Sequence, residues 1–160
     1  MSTYFIRPAR SGDEATIVAL LRDLATYEKL LDRFHITEDV VARDYLCEHP
    51  LVFCDLLFDG EQPAGIATWY WTYGSFAAAR KAYLADLFVR PEFRRMKLGL
   101  KLTQHIIDEA RSIGYTVMRL DTIRGTMDNA IALYESVGFS EIPAYYHNPI
   151  PNAFYMELRL

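Results

Sequence analysis

The spacing of apolar positions changes from segment to segment along this 160-residue chain, and those changes predict its elements. Residues 3–8 read as a short first strand. Ser11 and Glu14 stand at capping-box spacing, and Ile17, Leu20, Leu21, Leu24 and Leu31 follow at helical intervals. Together they predict an amphipathic helix running to about residue 32. A second helix is expected from Thr37 to just before Pro50. Residues 51–58 form an apolar run, and Asp59 with Gly60 gives a hairpin signal into a strand over residues 64–73. Residues 82–90 read as the next strand. Leu98, Leu102, Ile106 and Ala110 mark the inner stripe of a helix that Gly114 ends. A strand over residues 116–121 follows, then a helix with Ala130, Leu133, Tyr134 and Val137 on one side, stopped by Gly138. Phe154, Met156, Leu158 and Leu160 alternate as a closing strand. The order βααβββαβαβ(β), without repeat or linker, predicts one α/β domain over residues 1–160, with helices covering a mixed sheet.

Composition narrows the function classes. A hydrophobic content of 51% with 24% charged residues is that of a globular chain. A net charge of −4 argues against a general nucleic-acid partner. No apolar run approaches the roughly 20 residues that span a bilayer, so no membrane partner is expected. The first residues lack a cationic segment followed by an apolar one, which makes cytoplasmic placement the expectation. Cys47, Cys54 and the four histidines show no metal-ligand spacing, so no metal is expected. Cys54 alternates with Val52 and Leu56 and reads as a buried thiol. Trp69 through Tyr73 read as sheet packing or an association surface, with a cation–π amine pocket as the alternative. Tyr145, Tyr146 and His147, in a proline-bounded loop, are candidate substrate contacts.

Against the acidic background, Arg94, Arg95 and Lys97 crowd the turn between a strand and the helix beginning near Leu98. Cations at a helix start oppose its dipole, so the cluster implies an anion among them. The free N–H groups of residues 95–100 make a phosphate cradle.

Two motifs carry a family resemblance: Arg94, Arg95, Met96, Lys97, Leu98, Gly99 in the turn, and Ala130, Tyr134, Gly138, Phe139 beyond it. In that order they resemble the GNAT superfamily of N-acetyltransferases, over essentially the whole chain. The first two thirds are similar to the spermidine/spermine (diamine) N-acetyltransferases. The matching stretches include Leu24 through Glu28, Glu48 through Pro50, Trp71 through Tyr73 and Tyr83 through Val89. The last third is similar to generic bacterial members.

The resemblance implies a GNAT-like fold, with a mixed, mostly antiparallel central sheet flanked by helices. It implies an acyltransferase that moves an acetyl group directly from acetyl-CoA to a primary amine of a small molecule, and a homodimer. The implied cofactor contacts are Leu87, Phe88 and Val89 on the strand edge, Arg94, Arg95, Met96, Lys97, Leu98, Gly99 and Leu100 in the turn, and Met127 and Ala130. Tyr134 matches the general acid to the CoA thiolate. Tyr27, Glu28 and Asp86 are the implied substrate contacts.

Two positions depart from the pattern. Ala85 replaces the glutamate of the diamine enzymes, and strict alternation would turn the adjacent Asp86 to the other face, which leaves the general base open. Lys97 replaces the first glycine of the turn. The competing readings are a protein or peptide amine as acceptor, or a CoA-binding module with impaired catalysis.

Overall fold

The computed structural model describes residues 3–160, with the side chain of Arg95 outside the described part. Strand β1 (Tyr4–Pro8) leads to helices α1 (Glu14–Tyr27) and α2 (Glu38–Asp44). Strands β2 (Phe53–Asp59), β3 (Gln62–Gly74) and β4 (Ala79–Val89) follow. A 3₁₀ turn over Pro91–Met96 then leads into helix α3 (Leu98–Ile113). Strand β5 (Val117–Ile123), helix α4 (Asp128–Ser136) and strands β6 (Ser140–Glu141) and β7 (Ala153–Arg159) complete the chain. The seven strands form one sheet in the order β1-β2-β3-β4-β5-β7-β6. Every pairing is antiparallel except that of β4 with β5, as the expected mixed, mostly antiparallel sheet requires.

Apolar residues on the two faces of the sheet bury different helices. Ile17, Leu20 and Leu24 of α1 and Val41 of α2 pack on Leu56, Ile66 and Phe88. On the other face, Leu102, Ile106 and Ala110 of α3 and Ile131 and Tyr134 of α4 pack on Trp69, Leu84, Met118 and Met156. The closing strand has the predicted phase, with Phe154, Met156 and Leu158 all buried.

Two expectations about α1 are corrected. Ser11 does not cap it, because Asp13 is drawn into a bidentate pair with Arg7 at 2.7 and 2.9 Å, and the helix starts at Glu14. The helix ends at Tyr27 instead of about residue 32, because Glu28 interrupts the apolar stripe. Lys29 takes a left-handed φ of 59°, Leu30 N–H donates to Ala25 O at 2.8 Å, and Lys29 N–H donates to Thr26 O at 3.1 Å. That is a Schellman closure. It leaves Leu31 half exposed in a separate 3₁₀ turn and directs Glu28 inward.

The site depends on two irregularities in β4. Its pairing with β5 covers Lys81, Ala82 and Tyr83 only, after which the two strands part. Against β3 the register slips by one residue: Trp69 pairs with Leu84 and Thr68 with Asp86, leaving Ala85 as a bulge. Side-chain alternation is therefore interrupted at Ala85. Leu84 packs with α3 and α4, whereas Phe88, four residues on, packs with α1.

Candidate active site

The turn after β4 is held before any ligand arrives. Arg94 Nε donates to Val89 O at 2.9 Å, and its guanidinium lies 4.5 Å from the Tyr27 ring centre and 5.6 Å from that of Phe88. Lys97 precedes α3 in the left-handed region, at φ 54° and ψ 31°. A glycine normally fills such a position, and lysine there costs about 1–2 kcal/mol. The N–H groups of Leu98, Gly99 and Leu100 fall in the first turn of α3, where an α-helix offers them no acceptor. The Leu98 side chain is buried against Leu57, Ala64 and Val89 and fixes the helix start. A Cβ at Gly99 would meet Leu133 Cδ1 at 3.2 Å and would have to press that side chain aside by a few tenths of an ångström.

A groove of about 470 Å³ runs from this turn along β4 to α4. Of the expected cofactor contacts, Leu87, Phe88, Val89, Arg94, Lys97, Gly99, Leu100, Met127 and Ala130 line it, while Met96 and Leu98 do not. Arg95 belongs to the turn by its backbone, and its side chain lies outside the described residues. Asn129, Leu133 and Ser136 of α4 also line the groove and were not anticipated. Beyond Tyr83 the edge of β4 toward β5 is unpaired, so its backbone groups can bond an extended ligand. A long, mostly apolar arm with an anionic head fits this groove, as the implied coenzyme requires.

Where β4 and β5 part, a second cavity of about 140 Å³ opens, lined by Glu28, Ala85, Asp86, Asp121 and Tyr134. Among the described residues, only Leu87 and Met127 line both this cavity and the groove. Glu28 and Asp86 also face a third cavity, of about 390 Å³, between α1 and Tyr45. Ala85 and Asp86 thus share one cavity, which corrects the expectation from strict alternation; the bulge is the reason. Tyr27 lies apart from them, beneath Arg94 on the groove.

Three carboxylates meet here with different surroundings. Asp121 accepts from the hydroxyls of Tyr83 and Tyr146 and from Asn148 Nδ2. Asp86 accepts from Thr68 Oγ1, and burial pushes its carboxyl above the usual range. The Glu28 carboxylate has no hydrogen-bond partner among the described residues. Burial first, then the charges of Asp86 and Asp121, raise its carboxyl from the usual 4.5 to about 7. The Tyr134 ring packs edge-on to Phe139 at 5.7 Å. Burial, followed by Glu28 and Asp86, pushes its phenol up, so it keeps its proton at neutral pH.

Aromatic rings wall the outer side of this acidic centre. Tyr70 stacks on Tyr83 at 5.1 Å, and Tyr145 meets Tyr83 edge-on at 6.3 Å. Tyr145 and Tyr146 therefore belong to the site's surroundings, while His147 is exposed. Trp69 is core, stacked on Phe53 at 4.6 Å, and Trp71 and Tyr73 are half exposed. Asp121, Tyr83 and Asn148 were missed in the sequence. The available signal was an acidic residue between Leu120 and Ile123 on the strand beside β4.

A parallel strand pair that parts beside a helix start with free N–H groups is the architecture of an N-acyltransferase. The chain belongs to the Acetyltransferase (GNAT) family, whose profile matches residues 17–139. It is 30% identical over 150 residues to a thialysine N-epsilon-acetyltransferase of Bos taurus, covering 89% of this chain and 87% of that one. It is 28% identical over 113 residues to the spermidine/spermine N(1)-acetyltransferase-like protein 1 of Homo sapiens, covering 66% of this chain and 16% of that protein. A GNAT-family acetyltransferase from Streptococcus pneumoniae superposes with a TM-score of 0.77 at 18% identity, over 99% of this chain and 100% of that one. That likeness is one of fold. Among the described residues no helix is long and apolar enough to cross a membrane.

Proposed function

We propose that the chain transfers an acetyl group from acetyl-CoA to a primary amine of a small cationic molecule, in one direct step with both substrates bound. The observation that carries this reading is the meeting of the groove with the carboxylate-lined cavity beside Tyr134. The coenzyme supplies an acetyl thioester. The N–H groups of Leu98, Gly99 and Leu100, with Lys97, hold its diphosphate. The free edge of Leu87, Phe88 and Val89 aligns its arm and offers a donor to the thioester oxygen.

An alkylamine enters with its proton on, since such groups ionise near ~10.4. Asp86 and Asp121 draw the cation in, and the tyrosine rings shield it. Glu28 removes the proton: of the three carboxylates it alone has no internal donor, and its raised ionisation suits a base acting at neutral pH. It takes the place left by Ala85. Tyr134 gives its phenolic proton to the departing sulfur and is restored by the second proton that the acylated nitrogen sheds. The two relatives' names, thialysine and spermidine/spermine, indicate acceptors with a second charged group, which the acidic cavity suits. Exposed Trp71, Tyr73 and Phe76 on the β3–β4 hairpin support pairing with a second copy.

Turnover measured by thiol release, with polyamines, amino acids, aminoglycosides and lysine peptides as acceptors, tests the reading. Acetylation of small diamines or basic amino acids is expected. Calorimetric binding of acetyl-CoA with no turnover on any acceptor would leave a coenzyme-binding module instead, and no binding would remove the proposal altogether.

A further inference from the structure

Away from all three cavities, Asp55 of β2 meets His105 and Glu109 of α3. The Asp55 side chain is 3% exposed. Its hydrogen bond among the described residues is a long one, 3.4 Å from His105 Nε2, beyond the usual range of about 2.7–3.2 Å. Glu109 Oε2 lies 3.7 Å from the same nitrogen and is a buried oxygen with no hydrogen-bond partner. One donor atom from each residue lies within 4.8 Å of the other two.

Charge and hydrogen bonding are both unbalanced in this arrangement. Two carboxylates brought so close disfavour each other. His105 Nε2 carries at most one hydrogen and can serve only one of the two oxygens. A cation between the three atoms resolves both defects. With ligand bonds of about 2.0–2.2 Å, tetrahedral geometry separates donor atoms by roughly 3.3–3.6 Å. The 3.4 and 3.7 Å from His105 Nε2 to the two carboxylate oxygens lie near that separation, and the two carboxylates, within 4.8 Å of each other, would draw together on the ion.

We propose that Asp55, His105 and Glu109 bind a divalent transition-metal cation of the zinc type. One imidazole and two carboxylates suit that class. His105 and Glu109, 35% and 31% exposed, give the ion a path in and leave a fourth position for water. The two donors on α3 are one helical turn apart and the third comes from β2, so the ion joins helix to strand. The same helix carries the coenzyme-binding turn at its start. Asp55 lies 50 residues from His105 in the chain, which is why sequence spacing did not reveal the group.

The test is calorimetric titration of the chelator-treated full chain with Zn²⁺, together with the visible absorption of its Co²⁺ form. One equivalent of Zn²⁺ should bind and raise the melting temperature, and Co²⁺ should give the bands of a tetrahedral site. His105→Gln should weaken Zn²⁺ binding by at least the roughly 10- to 100-fold known for losing a mere outer-shell partner. Glu109→Gln should weaken it likewise, and His49→Gln, at an exposed position, should not. Absence of stoichiometric binding, or binding unchanged in both His105→Gln and Glu109→Gln, overturns the proposal in favour of a proton shared between two carboxyls. These readouts do not depend on acetyl transfer.

Discussion

Lys97→Gly separates two opposing contributions of one residue. Lys97 holds φ 54° and ψ 31° while its side chain lines the coenzyme groove. Relieving the left-handed strain returns about 1–2 kcal/mol. Glycine's greater freedom in the unfolded chain takes back about 0.5–1 kcal/mol. The net gain is roughly 0.5–1 kcal/mol, or about 1–4 °C in Tm for a chain of this size. Removing the ammonium group acts on binding alone. An exposed pair with a diphosphate is worth about 0.2–1 kcal/mol, so CoA affinity should fall up to about fivefold. Thermal unfolding and calorimetry with CoA measure the two effects independently. The expected outcome is a more stable protein that binds CoA less tightly, the more so at low salt. Tighter binding in Lys97→Gly would show that the lysine obstructs the groove, and an unchanged or lower Tm would refute the strain argument.

Tyr134→Phe should lower kcat by about 10²–10⁴-fold with little change in CoA affinity, read by thiol release and calorimetry; unchanged turnover removes its role as acid. For Glu28, amine kcat/KM should rise with pH through an inflection near the value of about 7 expected for its carboxyl. Glu28→Gln should lose that inflection and fall about 100-fold or more. Because its folded ionisation lies above the usual 4.5, the unfolded state loses its proton first as pH rises. Stability contributed by the protonated form is therefore lost between about 4.5 and 7, and Glu28→Gln should raise Tm more at pH 8 than at pH 4. Leu102→Ala, at a position with no exposed surface, should cost about 2–5 kcal/mol in denaturant unfolding.

Much of this architecture could be read from the chain because each element's apolar period matches the face it buries. The stripe from Leu98 to Ala110 and the alternation from Phe154 to Leu158 are examples. The groove was legible in part, since most of its expected lining falls between Leu87 and Leu100, whereas Asn129, Leu133 and Ser136 carried no sequence signal. The acceptor side was not. Asp121 meets Tyr83 across 38 residues and Asn148 across 27. The position of Asp86 turns on a one-residue slip between strands that no local pattern encodes. The end of α1 was misread because Leu31 continues a period that Glu28 had already broken.

Among the described residues, Leu87 and Met127 alone are common to the groove and the cavity of Glu28, Asp121 and Tyr134. Under the proposed function, recognition of the acyl donor and of its recipient falls on nearly separate sets of side chains. Substitutions at Ala85, Asn148 or Ile150 can redirect which recipient is accepted while the donor's berth stays intact. A lineage built on this plan can diversify its chemistry one wall at a time.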